Sequence, residues 1–281
     1  MRRSERLIGL TKHLLDRPNQ AVSLSGVQGL LNAAKSSLSE DVAFIRQALE
    51  GLEQGTIQTI SGAAGGVRYI PRLSASERTA FAADMVSRLE DSSRMLAGGF
   101  IYMSDILGDP MVIDNVGRLF AEAYSDSHVN VVVTVETKGI PLAVATAHYL
   151  NCPLAIVRRE HRVTDGSVVS VHYVSGSNRR IQSMSISKRA MPDFARALVV
   201  DDFMKAGATC KAVVHLLAEF QATVVGTAVF AATTEPKEKL VADYKALFEV
   251  SDLEEGKVPI VLPVMQSDAV LQDKGEMRAN P

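Results

Sequence analysis

The sequence predicts two domains: a small helical domain closed by a β-hairpin over residues 1–74, and an α/β domain with a mainly parallel sheet over residues 75–281. Three observations predict this. Three amphipathic helical stripes precede two β-rich arms around a glycine-rich tip, the element order of a winged helix-turn-helix. From residue 99 onward, apolar strand-like runs alternate with helical patterns, which points to a parallel sheet. Charge divides in the same place: residues 1–74 carry nine Lys/Arg against six Asp/Glu, and the remainder carries 21 against 26. A basic front end on an acidic body suits a nucleic-acid module joined to something else.

The elements of the first domain follow in order. Residues 4–16 form a helix with Leu7, Leu10 and Leu14 on one stripe, Ser4 as its cap and Pro18 as its stop. A short helix follows over 23–31. A third helix covers 35–49, with Leu38, Val42, Ile45 and Leu49 facing inward and Ser37 with Glu40 as a capping box. Its start can equally fall at Ala33 or Ala34. The hairpin covers 55–71, with its tip at Gly62–Gly66 and Pro71 closing it. The third helix offers Lys35, Ser36, Ser37, Ser39 and Arg46 outward, and Arg68 lies on the return strand. Small hydroxyls beside a lysine near a helix N-terminus suit phosphates and base edges. These residues, with Arg2 and Arg3 at the basic start, are the expected DNA contacts.

A connecting helix is expected over 74–95, with Phe81, Met85 and Leu89 in register and Ser76 as its cap, packed on the following domain or on a second subunit. Next come a strand over 100–104, a helix over 110–124 carrying Val112, Val116 and Leu119, and a buried strand over 129–135. The helix 141–150 and the strand 154–158 complete one unit. An antiparallel hairpin is expected to project from the sheet between 159 and 191. The strand ending at Asp201, a loop over 202–208, a helix over 209–220 and a strand over 223–231 follow; the last 16 residues look frayed.

Composition narrows the setting. Cys152 and Cys210 are the sole cysteines and the six histidines are scattered, so neither a disulfide framework nor a metal site is expected. No apolar run approaches the roughly 20 residues needed to span a bilayer. Charged Glu5 and Arg6 stand where a signal peptide would be apolar, so a cytoplasmic location without a membrane is expected.

Two loops sit where ligands bind in open α/β sheets, beyond the carboxyl ends of strands. In "VVDDFMKAGAT", an apolar strand delivers Asp201 and Asp202, a pair able to accept hydrogen bonds from a vicinal diol. The low-bulk run Met204, Lys205, Ala206, Gly207, Ala208 and Thr209 then enters a helix whose N-terminus suits a phosphate. In "TVETKGIP", Glu136, Thr137, Lys138 and Gly139 form a second anion-ready turn. Two anion sites and a diol reader on one sheet edge fit a sugar phosphorylated at both ends.

The stretch "ALVVDDFMKAGAT" resembles the fingerprint of type I phosphoribosyltransferases. That resemblance implies that Asp201 and Asp202 hold the ribose hydroxyls of phosphoribosyl pyrophosphate (PRPP). It implies that Lys205 to Thr209 cradle the 5-phosphate, and that Glu136 to Gly139 form the pyrophosphate loop. Taken together, "AKSSLSEDVAFIRQ", "SGAAGGVRYIP", "TVETKGIPLA", "YVSGSNRRIQSMS" and "VVDDFMKAGAT" resemble the purine operon repressors of Gram-positive bacteria, over roughly residues 1–250. The family implies a dimeric repressor of purine synthesis genes that binds operator DNA, with PRPP as the effector that relieves binding. Purine nucleotides such as guanosine tetraphosphate are implied to compete for the same pocket.

The loop departs from the enzyme pattern at Lys205 and Ala206, where active members tend to have a small or acidic residue and a threonine. Losing a hydroxyl weakens orientation while a lysine restores affinity, a trade that suits binding more than transition-state positioning. No transferase activity and no required cofactor are therefore expected, and neither Glu254 nor Glu255 is assigned to reading a purine. Phe203 either stacks on a base opposite Tyr102 or packs into the core. Arg158 and Arg159 either reach the pyrophosphate or form a solvated pair. Arg179, Arg180, Lys188 and Arg189 form either a second basic surface or, preferably, a solvated hairpin face.

Overall fold

The computed structural model describes residues 1–62, 65–160, 163–174, 181–254 and 257–264. Helices α1 (Arg3–Leu15), α2 (Leu24–Leu31) and α3 (Lys35–Gly51) lead into the antiparallel hairpin β1 (Gly55–Ile60) and β2 (Gly66–Pro71). Val22 adds a bridge to Val67, so the wing has a third, one-residue strand. Gly66 permits it: a side chain there would run into the Val22 carbonyl. Leu10, Leu14, Leu38, Val42, Ile45 and Tyr69 share one buried core, as the helical stripes require. Asp41 is also fully buried on α3, ion-paired with Arg6 and 3.6 Å from Arg3.

The first helix is capped earlier than expected, and the third takes one of the starts left open. The cap of α1 is Arg2 rather than Ser4, and its N–H donates to the Glu5 carboxylate at 2.9 Å. The cap of α3 is Ala34, whose carbonyl already accepts from the Leu38 N–H at 3.1 Å. Ser37 therefore lies inside the first turn and caps nothing.

Helix α4 (Ala75–Leu89) starts at Ser74, not Ser76. Ser74 Oγ accepts from the Glu77 N–H at 3.2 Å while the Glu77 carboxylate accepts from the Ser74 N–H at 2.8 Å. Its Phe81, Met85 and Leu89 pack into the second domain. After a minimal hairpin, β3 (Met95–Leu96) and β4 (Phe100–Ile101), come α5 (Pro110–Ala123), β5 (Val131–Val135), α6 (Ile140–Leu150) and β6 (Leu154–Val157). Strands β7 (Val168–Val174) and β8 (Ile181–Ser187) pair as a hairpin. Then follow β9 (Arg196–Met204), α7 (Ala208–Ala218), β10 (Thr223–Thr233), β11 (Tyr244–Ser251) and β12 (Ile260–Pro263).

One six-stranded sheet, ordered β12-β11-β10-β9-β5-β6, organises this domain, parallel throughout except for β12. Alternate residues of β5 and β9 face opposite sides. Val132, Leu198 and Val200 meet α4, α5 and α6; Val131, Val133 and Val199 meet α7 and the β7–β8 hairpin. The described part of that hairpin lies on the sheet rather than projecting from it, because Met184 and Ile186 are buried in that second layer. Strand β9 also outruns expectation. Phe203 and Met204 pair with Ala231 and Ala232, so the loop begins only at Lys205. Strands β11 and β12 were not expected. The strand expected over 100–104 is reduced to Phe100–Ile101. The last 16 residues lie outside the described ones, as do Arg179 and Arg180.

Candidate functional site

The carboxyl ends of β5 and β9 bring the two sequence loops together. Asp201 is buried to 9% exposure, and its Oδ1 accepts from the Asp202 N–H at 3.0 Å. Burial, then the neighbouring Asp202 carboxylate, hold the Asp201 carboxyl well above the ordinary carboxylate range, while Arg159 pulls the other way. Burial also raises Asp202, opposed by its bond with Asp201 and by the Lys138 charge. Beneath them lies the Cys210 thiol, 3.9 Å from Asp201 Oδ2, pushed well above the usual thiol value by burial and by that acid. A thiol held neutral in this way is a packing group, not a nucleophile. The aspartate pair is primed to exchange hydrogen bonds with hydroxyls or to ionise fully beside a cation.

Gly139 closes the other side. A Cβ there would stand 2.5 Å from Thr134 Oγ1 and 3.3 Å from Asp201 Oδ1, so only a bare backbone fits. Thr134 Oγ1 is buried with no hydrogen-bond partner among the described residues. An orphaned hydroxyl beside an acid pair and an exposed turn is the kind of group that a polar ligand satisfies. Thr137 and Lys138 are exposed at the turn, and the Glu136–Thr137 peptide is cis. Glu136 turns away: its carboxylate accepts from the Arg159 N–H at 2.9 Å and from Arg158 at 3.2 Å. Arg158 also pairs with Asp165 at 3.4 Å, so its charge is already engaged.

On the β9 side, Lys205 is exposed and Ala206, Ala208 and Thr209 are half-buried around Gly207, whose φ of 84° favours glycine. The first N–H groups of α7 open onto this loop. Met204 is buried beneath it, which leaves only its backbone for a ligand. A segment unforeseen from the sequence backs the loop. The Leu240 N–H donates to the Ala206 carbonyl at 2.9 Å, and Lys239 Nζ donates to the Thr233 carbonyl at 2.7 Å. Phe203 packs against the core that holds Ile101 and Met103. Tyr102 is exposed beside Arg94, which donates to its carbonyl at 3.1 Å. Glu254 pairs with Lys257 at 2.8 Å on the surface, and Glu255 lies outside the described residues.

In the first domain, Lys35, Ser39 and Arg46 line a groove of about 540 Å³ with Thr59, Gly62 and Gly66 of the wing and with Ser23 and Ser25 at the start of α2. Arg46 is a brace as well as a lining residue: it donates to the Ile57 carbonyl at 2.6 Å and to Thr59 Oγ1 at 3.0 Å. Ser36 is exposed and Ser37 half-buried, and neither lines that groove. Arg3 stacks over the Phe44 ring at 4.4 Å, and Arg2 is exposed next to it. Arg68 does not reach the groove. Alternation along β2 sends it to the opposite face, bonded to Gln58 at 2.7 Å in a polar cleft with Asn19, Ser125, His128 and Asn151.

The sequence reading missed Thr134, although one polar residue inside an apolar strand was a signal. The backing segment 239–240 gave no signal, since only the fold brings it to the loop. Ser23 and Ser25 were hidden in a helix start.

Known proteins resemble the chain in both parts. Residues 2–71 match the family model described as "Bacterial purine repressor, N-terminal", and residues 103–263 match "Phosphoribosyl transferase domain". The chain is 45% identical over 252 residues to the purine biosynthesis transcriptional repressor of Bacillus subtilis, covering 90% of this chain and 88% of that one. It is 38% identical over 254 residues to the purine biosynthesis transcriptional activator of Lactococcus lactis subsp. lactis, covering 90% and 94%. It is 30% identical over 119 residues to a xanthine phosphoribosyltransferase of Lactococcus lactis subsp. cremoris, covering 42% and 60%.

Proposed function

The chain belongs to the bacterial purine repressor family of transcriptional regulators, and on that footing we propose that it represses purine biosynthesis genes as a DNA-binding homodimer whose second domain detects PRPP. The observation that carries the effector reading is the packing of Gly139 on Asp201, which joins a diol reader to an anion-ready turn in one pocket. In this reading the ribose hydroxyls meet Asp201 and Asp202. The 5-phosphate takes the backbone N–H groups of Lys205 to Thr209 at the N-terminus of α7. The pyrophosphate takes the turn Thr137–Gly139 with Lys138, and the Thr134 hydroxyl gains a polar neighbour. Guanosine tetraphosphate, a ribose with phosphate at both ends, competes for the same groups.

The pocket binds without transferring. Ala206 supplies no hydroxyl to the phosphate loop. The match to the phosphoribosyl transferase model is the observation that favours the other reading, an active transferase with a regulatory front domain. Incubating the protein with PRPP and each purine base separates them, since nucleotide formation would establish the transferase.

Repression is tested by gel shift on DNA upstream of purine biosynthesis genes, with and without PRPP, beside a transcription assay on the same DNA. Binding that PRPP weakens, with transcription lowered by the protein, is the expected result. Because one relative is named an activator, transcription raised by the bound protein would reverse the sign of the assignment. DNA binding indifferent to PRPP would remove the effector.

A further inference from the structure

The effector pocket and the wing are joined by one helix. The α6 backbone starts in the pocket: the Ala143 N–H donates to the Gly139 carbonyl at 2.9 Å, and Gly139 is the residue packed on Asp201. Eleven residues later, about 16 Å along the axis, its other end meets the first domain. There the Tyr149 carbonyl accepts from Asn19 Nδ2 at 2.6 Å. The Asn19 N–H in turn donates to the Tyr69 carbonyl on β2 at 2.8 Å, and Tyr69 is buried in the core of the first domain. Two hydrogen bonds and one helix therefore connect the anion-ready turn to the wing.

The helix is stiff enough to transmit a displacement. A Cβ on Gly117 of α5 would lie 2.6 Å from the Ala145 Cβ, so α5 and α6 touch at backbone level. At its far end, Arg118 of α5 donates to the Tyr149 hydroxyl at 3.1 Å, and that hydroxyl donates to Asp114. The start of α6 cannot shift toward or away from the aspartates without carrying Tyr149 with it. An anion arriving at Thr137–Gly139 meets the exposed Lys138 and the N-terminal end of α6, so its binding bears on where that end sits.

We infer that α6 is the element coupling the pocket to DNA binding, and that the Asn19–Tyr149 hydrogen bond is its contact with the wing. This rests on the proposed effector reading and names its route. Asn19 acts as a positioning residue: it touches neither effector nor DNA.

The test uses Asn19→Gly and Asn19→Asp in the full chain. Both tolerate the Asn19 φ of 58°; the first deletes the amide donor, the second sets an acceptor against the Tyr149 carbonyl. DNA dissociation constants are measured by gel shift with and without saturating PRPP, and PRPP affinity by calorimetry on DNA-free protein. In both variants DNA affinity without PRPP and PRPP affinity stay within about threefold of wild type. The fold-change that PRPP imposes on DNA affinity drops at least threefold, and by linkage so does the effect of DNA on PRPP affinity. Either variant, folded and showing the full wild-type response, overturns the inference. Should wild type itself ignore PRPP, the effector reading falls and this coupling with it. Wild type responding beside an unchanged variant removes the coupling alone.

Discussion

Gly139 packs against Asp201 with no room for a side chain: a methyl group there would lie 3.3 Å from Asp201 Oδ1 and, more tightly, 2.5 Å from Thr134 Oγ1. Gly139 lies in the loop after β5 and Asp201 in the adjacent strand β9, 62 positions apart in sequence. Their contact makes one pocket of two loops.

Replacing Gly139 with alanine should force the turn off the aspartates. Its φ of -69° suits alanine, so the effect is steric and not conformational. PRPP affinity is expected to fall at least tenfold, about 1.4 kcal/mol. Calorimetry with PRPP decides it; wild-type affinity would mean that the turn and the acid pair do not act together.

Asp201→Asn should trade function for stability. Burial and Asp202 raise the folded-state value of this carboxyl. Its contribution to stability is therefore present below the ordinary carboxylate value near 4 and is lost as pH rises through the raised value. The asparagine escapes that loss. Relative to wild type, the melting temperature of the variant should climb above about pH 4 while its PRPP response disappears. A melting difference that does not change with pH would contradict the shift.

Two basic residues of the groove should behave differently. Lys35→Ala is expected to weaken DNA binding and to reduce the slope of log affinity against log salt by about one, without loss of stability. Arg46→Ala also removes two hydrogen bonds to β1, each worth about 1 kcal/mol, so the first domain should melt earlier. Salt titrations beside thermal melts distinguish them. Equal melting curves for the two would show that Arg46 does not brace the wing.

Leu38 is fully buried between the three helices and the hairpin. Leu38→Ala should cost about 2–5 kcal/mol and abolish DNA binding, while PRPP binding by the sheet domain persists. Loss of both together would show that the domains fold as one unit.

Much of this architecture was legible because it follows from periodicity. Leu38, Val42, Ile45 and Leu49 could face one way only, and the β-branched run at β5 could be buried only on both faces. Asp201, Asp202 and the glycine loop were legible because short-range spacing carries their chemistry. What the sequence hid depends on pairing between distant segments. The sequence could not show that β10 holds Phe203 and Met204 in the strand, nor that Leu240 supports the Ala206 carbonyl. Arg68 shows this most plainly. Its charge and its place on the hairpin were readable, but the face it occupies depends on which side of the wing α3 covers.

The position of Arg68 has a consequence for modularity. The wing is two-sided: Thr59 and its cross-strand partner Val67 face the groove of α3, while Arg68, with Asn19 behind it, faces the body of the molecule. Grafting a different winged-helix module onto residues 75–281 would carry over its sequence preference for DNA but not its reverse surface. Such a chimera should bind its own operator and be deaf to the ligand. Transplanting the reverse-side residues along with the fold is what would restore its hearing.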